Sequence, residues 1–269
     1  MKIENQLDSQ GYIVVKKLFC QNKIEQISSI VDDIYQQWRH KNYGVLLKNR
    51  SINMHSLTEP IYFIDNDSKR TKFFELIASK KLTDLLKSIF GKGIYFHNTQ
   101  LFFNPYVKDK LPYWHRDLQY SPIKDEIQAK EQGNILTLHI RVPLVAEKGI
   151  ELIPGTHKRW DSKLEKKVRF ELDGHKNSEK LPGAILIELE PRDVLIFDAQ
   201  MIHRGNYKLN EVRKALDICV GKHNSFTSDF LDINILPTND EMKYIPNNHW
   251  YKLARNIASN NALQLSPDY

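Results

Sequence analysis

The middle of this chain constrains its fold most, because it holds a series of short segments rich in β-branched and aromatic residues. Gly, Pro, Asp and Asn separate these segments, as they separate the strands of antiparallel sheets. The spacing is typical of a β-sandwich or jelly roll and predicts a mainly β protein. The predicted strands are 94–103, 135–145, 184–189, 194–197 and 214–220.

The N-terminal part is expected to supply one further strand and a long helix. A short apolar run, 12–15, follows Gly11 and predicts a buried strand. Asn22, with Glu25 three residues later, is typical of a capped helix start. Apolar residues then recur at helical spacing, which predicts a long amphipathic helix.

Two more helices are predicted outside the β region. The stretch 72–90 has a helical pattern, and Gly91 after it can supply a left-handed stop. The polar tail, 224–269, contains one further candidate near 250–258. We therefore expect a mainly β fold with flanking helices.

Composition places the chain among ordinary globular proteins, with 41% hydrophobic and 27% charged residues over 269 positions. Residues 1–10 lack the apolar core of a signal peptide, and no later stretch approaches the roughly 18 apolar residues of a membrane span. We therefore expect a cytoplasmic protein without a membrane partner. Cys20 and Cys219 are too few for a disulfide framework, and Cys219 lies in an apolar run that suits a buried thiol.

The net charge of +6 and the pI near 9.0 permit an anionic substrate or a nucleic-acid surface, but the cations are spread along the chain. The densest group of cations, 158–169, is interleaved with Asp161 and Glu165. It is interpreted either as a solvated face or as a rim that attracts phosphate or CoA. We expect a small-molecule substrate, anionic if the second interpretation holds, no nucleic acid, and a monomer or weak homo-oligomer.

A cluster of metal-type ligands is the main chemical signal. His115 and Asp117 are two residues apart, so on a β-strand both would point to one face and could grip one cation. With His203 they make two imidazoles and one carboxylate, a set that leaves positions open for Fe(II) oxygen chemistry. A structural zinc site takes four protein ligands instead. Each histidine, taken alone, can instead be a packing residue. Arg213 follows ten residues after His203, and its guanidinium can either hold a carboxylate through two hydrogen bonds or form a surface ion pair.

Four motifs stand in a characteristic order between Gly11 and about Gly221. They are Gly11-Tyr12-Ile13-Val14-Val15 before the first long helix, His115-x-Asp117, Leu152-Ile153-Pro154-Gly155-Thr156-His157, and Asp193-Val194-Leu195-Ile196-Phe197 followed by His203, Asn206 and Arg213. Together they resemble the phytanoyl-CoA dioxygenase family of Fe(II)/2-oxoglutarate oxygenases. Three departures occur: Glu147-Lys148-Gly149 stands where Asn-Gly is common, Arg192 replaces a usual Gly, and Gly205 replaces a usual Ser. None of them removes a metal ligand.

The resemblance implies a double-stranded β-helix core, that is, a cupin-like jelly roll, in a single oxygenase domain over 1–269. In this division 1–93 is a helical support, 94–221 is the jelly-roll core and 222–269 is a C-terminal extension.

The resemblance also implies the cofactors and the reaction. These are Fe(II), 2-oxoglutarate as cosubstrate, O2, and ascorbate as a supporting reductant, with hydroxylation of a small substrate coupled to formation of succinate and CO2. Asp117 is the carboxylate that the halogenating branch lacks. The implied metal ligands are His115, Asp117 and His203, and the implied cosubstrate contacts are Arg213, Gln100 and His139.

Residues outside the metal centre are expected to shape the pocket, with no further catalytic residue. Tyr113, Tyr120 and Trp160 are candidates for its wall, and the insertions 120–134 and 158–182 are candidate lids. His157 is expected to cap the turn before it, because a fourth ligand would close the site. The alternative to an enzyme is a non-catalytic jelly-roll module that binds or senses a small acid.

Overall fold

The computed structural model describes residues 3–49, 51–64, 66–107, 109–224 and 226–264; the remaining parts of the polar opening and tail, 1–2 and 265–269, lie outside the described residues. Two antiparallel sheets form its centre. The large sheet has the order β1-β7-β4-β9-β3-β2, and the small sheet has the order β6-β5-β8. The strands are β1 Tyr12–Val15, β2 Asn53–His55, β3 Ile94–Phe103, β4 Thr137–Pro143, β5 Glu147–Leu152, β6 Ile185–Leu189, β7 Val194–Asp198, β8 His203–Gly205 and β9 Lys214–Lys222.

The two sheets pack face to face around an apolar layer. Ile150 and Leu152 of β5 meet Leu195 and Phe197 of β7 there, together with Met201. Side chains alternate between the faces of a strand, so each sheet can bury one face in this layer. The predicted jelly-roll class is confirmed.

Helices cover the other face of the large sheet. In β4, Leu138, Ile140 and Val142 join the core shared with these helices, whereas His139 and Arg141 point into the space between the sheets. The period of two thus separates the packing face from a polar inner face. The helices are α1 Ile3–Gln10, α2 Gln21–Asn49, α3 Asp67–Ile77, α4 Lys80–Phe90, α5 Asp125–Lys130, α6 Lys163–Arg169 and α7 His249–Gln264.

The helix boundaries differ from the sequence prediction in two places. The long helix α2 begins at Gln21, so Asn22 lies inside its first turn instead of capping it, and the predicted start was wrong. The predicted helix 72–90 is two helices, because Ser79 accepts a hydrogen bond from the backbone of Leu82 and begins a new helix. The stop at Gly91 is confirmed, since its φ is +76°.

Arg192 occupies the turn before β7 with a φ of +83°, a conformation that favours glycine. Its backbone carbonyl accepts a hydrogen bond from Phe19, and its Nε donates to the Phe19 carbonyl at 3.2 Å. These two contacts hold the turn although an arginine occupies the position where the family resemblance leads one to expect glycine. Among the described residues, no helix is both long enough and apolar enough to cross a membrane.

Candidate metal and cosubstrate site

His115 and Asp117 do not lie on a regular strand, so the expected strand geometry was wrong. His115 forms an isolated bridge in which its N–H and carbonyl both bond the backbone of His203, each at 3.0 Å. Asp117 begins a short 3-10 turn, and its N–H donates to the Ala199 carbonyl at 3.1 Å. Backbone pairing to the segment around β8 therefore brings His115 and Asp117 to His203.

The residue between the two candidate ligands anchors this segment. Arg116 is fully buried, and its Nε donates to Asp161 at 3.0 Å. Its terminal nitrogens donate to the carbonyls of Thr156 at 2.7 Å and Arg159 at 3.1 Å. Because the guanidinium makes these bonds at once, it ties the chain between the ligands to the turn that follows β5.

The three candidate ligands present a compact donor set. One donor atom each from His115, Asp117 and His203 lies within 4.8 Å of the others, and this group has three members among the described residues. The Nε2 atoms of His115 and His203 lie 3.7 Å and 3.4 Å from Asp117 Oδ1. These separations suit donors that share one cation.

Both imidazoles are oriented for ligation through Nε2. The Nδ1 atoms of His115 and His203 hydrogen-bond the carbonyls of Tyr113 at 3.1 Å and Met201 at 3.0 Å. Since a carbonyl only accepts, each Nδ1 donates and each Nε2 carries a lone pair. Burial, then the neighbouring His115, lowers the pKa of His203 to about 3, and burial lowers the pKa of His115. Neutral imidazoles are the form that binds a metal.

The other oxygen of Asp117 is held by a buried chain of charges. Asp117 Oδ2 lies 2.6 Å from His139 Nε2, and His139 Nδ1 lies 2.9 Å from Asp217 Oδ2. Arg141 then donates to both oxygens of Asp217, at 2.7 Å and 2.9 Å. Burial opposes a charge on His139, but Cys219 and the two carboxylates together raise its pKa well above the usual value. His139 thus donates from both nitrogens and leaves Asp117 Oδ1 free.

Arg213 is linked to this chain of charges through Glu147, which also accepts a hydrogen bond from Arg141 at 3.4 Å. Its side chain is buried, and its Nε donates to Glu147 Oε1 at 2.7 Å. Both terminal nitrogens are buried and have no hydrogen-bond partner among the residues that the structure describes. Gly205 lies beneath them, because a Cβ added there would stand 3.0 Å from each. An unpaired buried guanidinium is costly, so this pair of donors suits a carboxylate ligand.

One cavity of about 480 Å³, here called the central cavity, joins these groups. The candidate ligands and Arg213 line it, as do the four other predicted residues Gln100, His139, Tyr113 and Tyr120. Trp160 does not line this cavity, so the prediction that it forms part of the pocket wall was wrong. Its ring packs against the guanidinium groups of Arg116 and Arg169, at 5.4 Å and 5.9 Å. Trp160 therefore supports the ligand segment from behind.

Three residues that the site brings together were not predicted from the sequence, namely Arg141, Glu147 and Asp217. A signal existed for two of them. Arg141 and Asp217 stand at alternate positions within apolar strands, where a charged side chain must face a partner or a cavity. Glu147 gave no such signal, since it begins a strand that contains a glycine and two further charged residues, Lys148 and Glu151.

The cationic group at 158–169 is largely paired with acids. Arg169 and Asp161 form a fully buried ion pair, and Lys158 pairs with Asp8 at 2.5 Å. The remaining pairs are Arg159 with Glu165 and Lys167 with Asp173. His157 Nε2 donates to the backbone carbonyl of Asp8 at 3.1 Å, so this histidine supports the turn and takes no part in the ligand cluster.

The chain is similar to known proteins in sequence and in fold. The model of the family phytanoyl-CoA dioxygenase (PhyH) matches residues 7–215. EctD from S. alaskensis, solved with 2-oxoglutarate and 5-hydroxyectoine, is 15% identical and has a TM-score of 0.55, over 82% of this chain and 76% of its own. AviO1 from Streptomyces viridochromogenes is 13% identical with a TM-score of 0.55, over 83% of this chain and 94% of its own.

A third solved structure is the non-heme alpha ketoglutarate dependent carbocyclase SnoK from nogalamycin biosynthesis. It is 11% identical with a TM-score of 0.53, over 81% of this chain and 82% of its own. At these identities the likeness is one of fold. No curated protein matches the chain.

Proposed function

The chain belongs to the phytanoyl-CoA dioxygenase family, and from that premise we propose that it hydroxylates a small organic substrate with Fe(II), 2-oxoglutarate and O2. In this proposal His115, Asp117 and His203 hold the iron, and Arg213 binds the distal carboxylate of 2-oxoglutarate. The main support is that three metal donors and two unpaired guanidinium nitrogens line one cavity. The general activity is that of a 2-oxoglutarate/Fe(II)-dependent oxygenase.

The donor set fits iron of this kind. Two neutral imidazoles and one carboxylate oxygen would bind on one side and leave positions open for the cosubstrate. When bound, Fe(II) with 2-oxoglutarate and O2 supplies the oxidation of a C–H bond to an alcohol, while 2-oxoglutarate becomes succinate and CO2.

The residues of this chain supply binding and orientation. Arg213, fixed by Glu147, would fix one end of 2-oxoglutarate through two parallel hydrogen bonds. His139 fixes Asp117 so that one oxygen faces the metal position. Tyr113 and Tyr120 lie beside the His115 ring, with centroids at 5.2 Å and 5.6 Å, and line the cavity in which the substrate would be oriented.

The test measures succinate from purified protein supplied with Fe(II), 2-oxoglutarate, ascorbate, air and a panel of small substrates. We expect succinate that depends on both iron and oxygen. Asp117→Ala and His203→Ala should reduce it to background, because each removes a ligand. The matched control is His175→Ala, which changes a histidine that pairs with Glu179 outside the cavity and should keep full activity.

The same preparation separates the enzyme from a non-catalytic binding module. Anaerobic titration should detect Fe(II) and 2-oxoglutarate binding under either interpretation. Only the enzyme consumes 2-oxoglutarate when oxygen is admitted. Tight binding without oxygen-dependent consumption, over the whole panel, would contradict the proposal and favour the module.

A further inference from the structure

A second cavity, here called the side cavity, adjoins the candidate metal site. Its volume is about 330 Å³, at the small end of the range for ligand pockets. Four residues line both cavities, namely Gln100, Asp117, Tyr120 and His139. The candidate ligand Asp117 therefore borders both cavities, whereas Arg213 lines only the central cavity, so the side cavity is not needed for 2-oxoglutarate.

The lining of the side cavity differs in chemistry from that of the central cavity. Leu118, Pro122, Leu138, Val220 and Phe230 make most of its wall apolar. No Lys or Arg lines it among the residues described, whereas Arg141 and Arg213 both line the central cavity. The imidazolium of His139 also lines the side cavity, but Asp117 and Asp217 already pair with it. An anionic group would therefore lose its hydration here without gaining an unpaired cation, so the lining disfavours a charged substrate.

His97 supplies one polar group in this apolar wall. It stands at a β-bulge, because the pairing of β3 with β9 shifts register between Phe96 and Asn98. A bulge redirects a side chain, and here the imidazole of His97 lines the side cavity. The backbone of Thr227 hydrogen-bonds this ring, and burial lowers the pKa of His97, so the imidazole is neutral.

The Nε2 atom of His97 is buried and has no hydrogen-bond partner within the described part of the chain. Burial lowers the pKa of His97 while the contact with the Thr227 backbone raises it, as a ring N–H that donates to a carbonyl does. Nε2 has no partner, so we assign the N–H to Nδ1 and the acceptor lone pair to Nε2. Buried polar atoms are nearly always paired in folded proteins. A ligand with a hydroxyl or N–H group would supply the missing donor.

Resting on the proposed function, we propose that the side cavity binds the primary substrate, and that this substrate is a small, uncharged, largely apolar molecule with one hydrogen-bond donor that His97 recognises. His97 is then a specificity-determining residue, because a molecule without the donor leaves Nε2 unpaired. This assignment departs from the anionic substrate that the basic group at 158–169 suggested.

The test compares three six-membered-ring probes by calorimetry on the full-length chain, under anaerobic conditions with Fe(II) and 2-oxoglutarate present. Cyclohexylmethanol offers a donor, its methyl ether does not, and cyclohexanecarboxylate is charged. We expect the alcohol to bind about fivefold more tightly than the ether, in line with one hydrogen bond, and at least tenfold more tightly than the carboxylate.

Variants test whether His97 causes the preference for the alcohol over the ether. His97→Leu should abolish the difference between alcohol and ether, and His97→Gln, whose amide oxygen still accepts, should restore part of it. The matched control His223→Leu changes an exposed histidine and should keep the difference. In a Cys20→Ser background the alcohol should also slow alkylation of Cys219, which lines the side cavity.

Several results would overturn the assignment. They are no binding of the alcohol, equal binding of alcohol and ether by the unmodified chain, selectivity that survives His97→Leu, or carboxylate binding as tight as that of the alcohol. Failure of the proposed function has a different signature. It would appear as no binding of Fe(II) or 2-oxoglutarate in separate titrations, while the probes still distinguish the chain from His97→Leu.

Discussion

Glu147 accepts a hydrogen bond from Arg213 Nε at 2.7 Å and leaves both terminal nitrogens of that guanidinium unpaired. Both side chains are almost completely buried. The carboxylate compensates the charge of Arg213 but occupies only one of its three nitrogens. The two remaining nitrogens form a fork that is ready to receive a planar anion.

Replacing Arg213 by lysine should therefore weaken binding of 2-oxoglutarate by about 10- to 100-fold, because the charge remains but the two parallel hydrogen bonds are lost. Affinity for Fe(II) should change little. Anaerobic calorimetry measures both constants. Arg204→Lys is the matched control, since Arg204 is also buried and pairs with Glu151 at 2.6 Å, outside the cavity. Unchanged 2-oxoglutarate affinity in Arg213→Lys would contradict this role.

Gly205→Ala should move the guanidinium of Arg213. The added Cβ would stand 3.0 Å from both terminal nitrogens, which is closer than ordinary contact, so the group must shift by a few tenths of an ångström. We expect several-fold weaker 2-oxoglutarate binding, measured by the same titration, with the fold retained. Gly93→Ala meets no atom within 4 Å and serves as the control. Equal affinities of the two variants would argue against this steric effect.

Asp217→Asn should strongly destabilise the fold. Asp217 is completely buried and accepts charged hydrogen bonds from Arg141 and His139. Removing one partner from such a network costs about 3–5 kcal/mol in the free energy of unfolding. Urea unfolding followed by circular dichroism measures this loss. Asp240→Asn breaks an exposed ion pair with Lys243 and should change the stability little. A similar small cost for Asp217→Asn would contradict the network's importance.

Asp198 gives stability a dependence on pH. Burial raises the pKa of Asp198 to about 7 in the folded chain, against roughly 3.9 when unfolded. The folded state therefore binds this proton more tightly, so the contribution is fully present below pH 4 and is lost as pH rises through about 7. The loss between pH 5 and pH 8 is about 2–3 kcal/mol, at about 1.4 kcal/mol per pH unit.

Asp198→Asn should remove this loss, because the amide does not ionise and keeps an oxygen for the Gln200 N–H, which now bonds Asp198 Oδ1 at 2.7 Å. The variant should resemble the unmodified chain at pH 5 and be more stable at pH 8. Urea unfolding at the two pH values measures the difference. If the stability gain of Asp198→Asn were equal at both, ionisation of Asp198 would not be its cause.

Local pattern predicted much of the fold. The strand predicted at 94–103 has the observed limits of β3, and Gly91 ends a helix as expected. The strand β8, His203–Gly205, was not predicted, because three residues are too few for a periodic signal. Its existence depends on backbone bonds to Glu151 and Leu152 of β5, which local sequence does not encode.

Part of the candidate site was predicted from the sequence, and part was not. His115, Asp117, His203 and Arg213 were chosen as candidates because their residue types and order carry chemical information, and the structure brings them to one cavity. Trp160 was misplaced, because aromatic residues serve packing and pockets alike, and its neighbours Arg116 and Arg169 come from separate segments.

The sequence alone determined the donor atoms, their order along the chain and the alternation that divides each strand into an apolar and a polar face. Tertiary structure decided which donors meet. The reciprocal backbone bonds between His115 and His203 join positions far apart in the chain. The hydrogen bond from Arg213 to Glu147 likewise joins residues from different segments of the chain. Such contacts depend on how the strands pair as a whole, because hydrogen bonding and burial of each segment are satisfied only by its neighbours in space.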